Sequence, residues 1–122
     1  MKPRLCAHKF RAEPYGWNVH VFNDRDRMAR FIGKRWPKPA HERRNIEGSS
    51  GITYVDDGIN LAAIGVFDKR VGTLAHEATH LAGEMLAAAG VYYGIGTREQ
   101  RNDEQLAYLV GYLTDECAGA TL

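Results

Sequence analysis

Apolar and polar positions alternate from Trp17 to Phe22, with Trp17, Val19 and Val21 on one face and Asn18, His20 and Phe22 on the other. A period of two marks a half-buried strand. Asn23 or Asp24 then offers an N-cap to a segment in which Met28, Phe31 and Ile32 recur at helical spacing, which predicts a short helix ending near Gly33. Both periods disappear between Trp36 and Ser50, where Pro37, Pro39, a run of charges and Gly48-Ser49-Ser50 predict an exposed loop. Ile52, Tyr54 and Val55 lead through the turn signal Asp56-Asp57-Gly58 into the β-compatible stretch Ile59 to Phe67, so a hairpin is expected. Asp68 is placed to cap a long helix reaching about Ala89, with Val71, Leu74, Ala75, Ala78, Leu81, Ala82, Met85 and Leu86 as its apolar face and Gly90 as its stop. A glycine- and aromatic-rich stretch from Val91 to Thr97 follows. Asn102 or Asp103 then caps a last helix carrying Leu106, Ala107, Leu109, Val110 and Leu113. The expected fold class is α+β: a small twisted sheet that includes a β-hairpin, packed against the long helix and the C-terminal helix.

At 122 residues the chain has room for one hydrophobic core, and residues 1–122 are read as a single domain. Lys and Arg number 16 against 15 Asp and Glu, a net charge of +1 that supplies no field to select nucleic acid or an anionic membrane. No apolar run approaches the roughly 20 residues that cross a bilayer. Met1-Lys2-Pro3-Arg4-Leu5 lacks the apolar centre of a signal peptide, so the expectation is a cytoplasmic protein. Cys6 and Cys117 have neither zinc-ribbon nor thioredoxin spacing and are read as free thiols, since a bridge between them needs an oxidising compartment. Lys34, Arg35, Lys38, Arg43 and Arg44 form a local basic cluster, a solvated loop or a contact for an acidic substrate or partner.

The long helix carries His76-Glu77-Ala78-Thr79-His80. Histidines four apart project from one helical face and are able to hold one metal ion with two imidazole nitrogens. Glu77 lies about 100° round the helix from His76, near enough to serve a water at the same ion as general base without being a ligand. Zinc with two histidines and an open position activates water and polarises a carbonyl, and a carboxylate beside it moves the proton. Catalytic zinc normally has a third protein ligand. Glu84, one turn past His80, is a poor choice, because three successive turns of a straight helix spread too far to converge on one ion. Glu104 and Asp103, in the first turn of the last helix, return beside the histidines if the two helices pack antiparallel, and Glu104 is the preferred ligand. For an oxyanion donor the flanking candidates are Tyr92, Tyr93, Arg98, Tyr108 and Tyr112, with Tyr112 chosen because it shares a helical face with Glu104.

His76-Glu77-Ala78-Thr79-His80, with Glu104 downstream in Asn102-Asp103-Glu104-Gln105-Leu106-Ala107-Tyr108, resembles the gluzincin branch of the zincin metallopeptidases, and its smallest members, the minigluzincins, most of all. The likeness covers about Ile52 to Thr114. It implies a zincin-like fold, one zinc ion held by His76, His80 and Glu104, a peptide or protein substrate, and peptide-bond hydrolysis with Glu77 as base. It also implies a hairpin strand that binds extended peptide beside the cleft, a task that falls to Ile59 to Phe67. The pattern departs from the gluzincins at Tyr108, where an aspartate often stands to orient a zinc-binding histidine. Gly83 agrees with the metzincin pattern, but Leu86 occupies the place of its third histidine. Asp103 or Asp115 as third ligand would instead make the site an aspartate-type zincin. A competing function is a non-catalytic, zinc-stabilised protein-binding domain, against which Glu77 argues: a closed structural site gains nothing from a carboxylate beside an open position.

Overall fold

Before the strand expected first, the backbone already forms another: β1 (His8–Ala12) turns through 13–16 and pairs antiparallel with β2 (Trp17–Phe22), placing Ala12 opposite Trp17 and His8 opposite Val21. Alternation of His8, Phe10 and Ala12 with Lys9 and Arg11 carries little apolar signal, which is why the sequence hides this strand. Charged side chains on an edge strand discourage pairing with a further chain. The computed structural model describes residues 4–36, 46–91 and 103–122, with the backbone alone for Asp103.

Asp24 caps α1 (Arg25–Arg35), its carboxylate accepting from the Arg27 N–H at 3.0 Å, and the helix runs two residues beyond Gly33. Residues 46–48 make one helical turn that buries Ile46. The predicted hairpin is present as β3 (Gly51–Asp56) and β4 (Leu61–Val66), its turn closed by the Gly58 N–H donating to Asp56 Oδ1 at 3.1 Å. Strand order is β1-β2-β4-β3, with β2 and β4 parallel and the outer pairs antiparallel. The sheet is therefore mixed.

Its two faces bury different partners. Trp17, Val19, Val21, Ala62, Ile64 and Val66 meet the side chains of α2 (Val71–Ala88) and α3 (Asp103–Thr121) in the larger cluster. Phe22 and Ala63 face the other way, against Met28, Phe31 and Ile32 of α1. The face assignment read from the alternation in β2 holds. Residues 61–66 are buried throughout, as expected of an interior strand covered on both sides.

Asp68 does not cap α2. Arg70 takes that position without a side-chain cap, while Asp68 accepts from the Arg70 N–H at 3.0 Å and from the Thr73 hydroxyl at 2.6 Å. Those two bonds hold the Asp68 carboxyl below its ordinary pKa. Val71 and Ala75 are exposed, so the buried stripe begins at Leu74. Gly90 ends the helix as predicted, with φ of 76°, while its own N–H donates to Ala87 O at 3.0 Å and that of Val91 to Leu86 O at 2.8 Å. This is a Schellman ending.

Cys6 and Cys117 are both buried free thiols, Cys6 in the cluster against α1 and Cys117 in the cluster under α2 and α3. The sheet lies between them. Lys38, Arg43 and Arg44 of the basic cluster, His41, and the stretch from Tyr92 to Thr97 with Arg98 lie outside the described residues. Among the described residues no helix is long and apolar enough to cross a membrane.

Candidate metal and catalytic site

The stripe Leu74, Ala78, Leu81, Ala82 and Met85 faces the sheet and α3. Helical phase then turns His76 and His80 to the opposite, exposed side, and the His76 side chain is 66% accessible. Their Nε2 atoms lie 3.1 Å apart, with ring centroids at 4.7 Å and planes at 77°. Two nitrogens about 2.05 Å from one ion, at the tetrahedral angle, are separated by about 3.3 Å. The pair therefore fits two positions of one zinc coordination sphere. Packing of α2 leaves it open to solvent.

Glu77, one residue on, points to the flank of α2 that meets β3 and is 6% exposed. Thr53 of β3 holds it: the hydroxyl lies 2.8 Å from Glu77 Oε1 and 3.2 Å from the Glu77 carbonyl, and its one proton favours the shorter bond. The other carboxylate oxygen, Oε2, is 4.0 Å from His76 Nε2. A buried carboxylate with one oxygen tethered and one turned to the histidines is oriented by the fold rather than by solvent. Gly51 lets β3 come this close, because a Cβ there would fall 2.7 Å from Thr73 Cγ2, 2.9 Å from the Gly65 carbonyl and 3.1 Å from Glu77 Cγ.

Ser50, Gly51, Arg70, Gly72, Thr73, His76 and Glu77 line a shallow cleft of about 460 Å³. A larger hollow of about 640 Å³ runs along the outer side of α1, lined by Asp26, Arg30, Lys34 and Glu47, with the sheet between it and α2. Among the described residues no histidine lines it.

Among the described residues, the other predicted side chains are not gathered to the pair. Glu84 is exposed on α2. Glu104 is exposed in the first turn of α3, on the stripe it shares with Tyr108, which is 76% exposed, and away from the inward stripe of Leu109, Leu113 and Cys117. The side chain of Asp103 lies outside the described residues. Among the described residues no group of three His, Cys, Asp or Glu side chains is placed to hold one ion. Tyr112 packs edge-on against Phe10 at 5.9 Å and directs its hydroxyl to the Arg11 carbonyl at 3.4 Å. It thus sits over β1, at the opposite edge of the sheet from β3 and Glu77. Sharing a helical stripe with Glu104 correctly related the two positions to each other, but that stripe faces outward and toward β1.

Sequence reasoning missed Thr53. The available signal was the hairpin itself, since Gly51, Thr53 and Val55 share one face of its first strand, whose second strand leads into the histidine helix. Compared with known protein families, with curated proteins and with solved structures, the chain matches none.

Proposed function

We propose that the protein is a zinc-dependent metallopeptidase in which His76 and His80 are ligands and Glu77 is the general base. The observation that carries this reading is the state of Glu77: buried, fixed by Thr53 through Oε1, and presenting Oε2 4.0 Å from His76 Nε2. A stabilising metal site has no use for a carboxylate held in that way. Zinc bound there supplies a Lewis acid that activates water and polarises the scissile carbonyl. Glu77 Oε2 takes the proton of the attacking water and hands it to the leaving amine nitrogen. As third ligand we retain Glu104, for which the support is the gluzincin likeness of its surroundings in sequence; its position on the outward stripe of α3 makes its replacement an informative test.

The peptide-binding strand expected from the same likeness moves from residues 59–67 to β3. Residues 61–65 are paired on both sides, by β2 and by β3, which leaves that stretch no free edge for a guest strand. β3 is the outer strand of the described sheet and lies directly against Glu77.

Purified protein is expected to carry about one zinc per chain by metal analysis, and His76→Ala and His80→Ala to lose it. Glu77→Gln keeps the metal and the fold and lowers the turnover number by roughly 10²- to 10⁴-fold on any peptide the parent cleaves. Full biological activity in a folded, zinc-loaded Glu77→Gln protein that no longer cleaves peptide removes the peptidase reading and leaves a zinc-stabilised binding domain.

A further inference from the structure

The Phe67 N–H donates to the Ser50 carbonyl at 2.8 Å, which fixes the phase of the β3–β4 ladder. In an antiparallel pair, hydrogen-bonded residues alternate with residues whose N–H and C=O point away from the partner strand. With Gly51 opposite Val66 and Thr53 opposite Ile64, the backbone groups of Gly51, Thr53 and Val55 face the free edge. Among the described residues nothing pairs with them. Thr53 thus has its backbone at the sheet edge and its hydroxyl on Glu77 Oε1 at 2.8 Å.

Resting on the peptidase reading, and taking extended peptide on the β3 edge from the family likeness, we propose that Thr53 is a positioning residue that couples pairing of the substrate along Gly51 to Val55 to alignment of Glu77. A β-branched side chain has few χ1 choices at a given backbone geometry, so pinning the Thr53 backbone pins its hydroxyl. Before a guest strand binds, β3 is the least constrained strand of the hairpin, half-buried along its whole length where β4 is fully buried. A peptide of four or five residues covers the roughly 13 Å between Gly51 and Val55. Dipeptides and tripeptides reach the histidines without bridging that span. Binding energy from the remote part of the chain is in this way expressed as a faster chemical step rather than as tighter binding alone.

The test uses a peptide that the zinc-loaded protein cleaves in a proteome-derived peptide library, resynthesised with blocked ends at two, three, five and seven residues around the cut. Zinc content and thermal unfolding are measured first for the parent, Thr53→Val, Thr53→Ala and Thr53→Ser, so that one hydroxyl-free variant remains if the other fails to fold. In the parent, kcat rises about tenfold or more once the peptide spans the edge. Hydroxyl-free variants keep the improvement of KM with length but show a flat kcat, and Thr53→Ser restores the rise. If the parent kcat is independent of length, or a hydroxyl-free variant repeats the parental rise, the coupling is absent while the peptidase reading stands. A zinc-loaded parent that cleaves no library peptide overturns both.

Discussion

His20 shows what one buried ring does to the pH range of the fold. Its ring lies 4.6 Å from that of Phe31 and the residue is 6% exposed. Burial, with repulsion from Arg35, Lys9 and Arg4, lowers its pKa from 6.5 to about 4. The folded protein keeps His20 neutral where the unfolded chain takes up a proton, so its contribution to stability is complete above pH 6.5 and is lost as pH falls toward 4. Linkage over that window amounts to about 2 kcal/mol between roughly pH 7 and pH 5. Urea unfolding at the two pH values measures it, and His20→Phe, which retains an aromatic ring beside Phe31, is expected to lose clearly less. Equal losses in the two proteins would mean that another group sets the acid limit. At this scale His76, Glu77 and His80 were legible, because spacing along one helix suffices to relate them. Thr53 was not, because its role depends on which face of a neighbouring strand touches the helix.

Contacts between elements explain both what the patterning predicted and what it left out. Apolar periods located β2, α1, the hairpin and α2; each helix turns a coherent apolar face to one cluster, while β2 and β4 contribute to both. β1 escaped because Lys9 and Arg11 interrupt it, and the phase of α3 escaped because its apolar residues leave two adjoining faces open to choice. Leu109, Leu113 and Cys117 settle that choice by burial, which turns Glu104 outward. Replacing Glu104 with alanine and measuring zinc content decides whether the likeness to gluzincins extends to the third ligand. A strong loss of zinc supports it, and unchanged zinc places the ligand elsewhere. The seam between β3 and α2 is the tightest junction of the site. Gly51→Ala forces a Cβ to 2.7 Å from Thr73 Cγ2 and 2.9 Å from the Gly65 carbonyl. Overpacking of this kind costs about 1–3 kcal/mol. Thermal unfolding is expected to report that loss while zinc content stays at the parental level, since Gly51 carries no side chain that ligates and both histidines remain on α2.

For the whole molecule, the sheet is a partition with helical layers of unequal depth on its two sides, and each layer holds one cysteine. Burial pushes the Cys117 thiol up to about 12, and Cys117 is 0% and Cys6 5% exposed. Burial denies a reagent access to either thiol while the fold is intact, and Cys117 is in addition kept from its reactive thiolate form. The pair is therefore a built-in two-channel clock for opening. A thiol reagent added to the native protein reacts with neither at an appreciable rate, and each thiol becomes visible only when its own layer parts from the sheet. Among the described residues the cluster around Cys6 is the smaller, and Cys6 precedes an edge strand. In low urea, peptide mapping of the labelled protein is expected to show Cys6 modified before Cys117. Equal rates for the two would show instead that the layers leave the sheet together, as one cooperative unit.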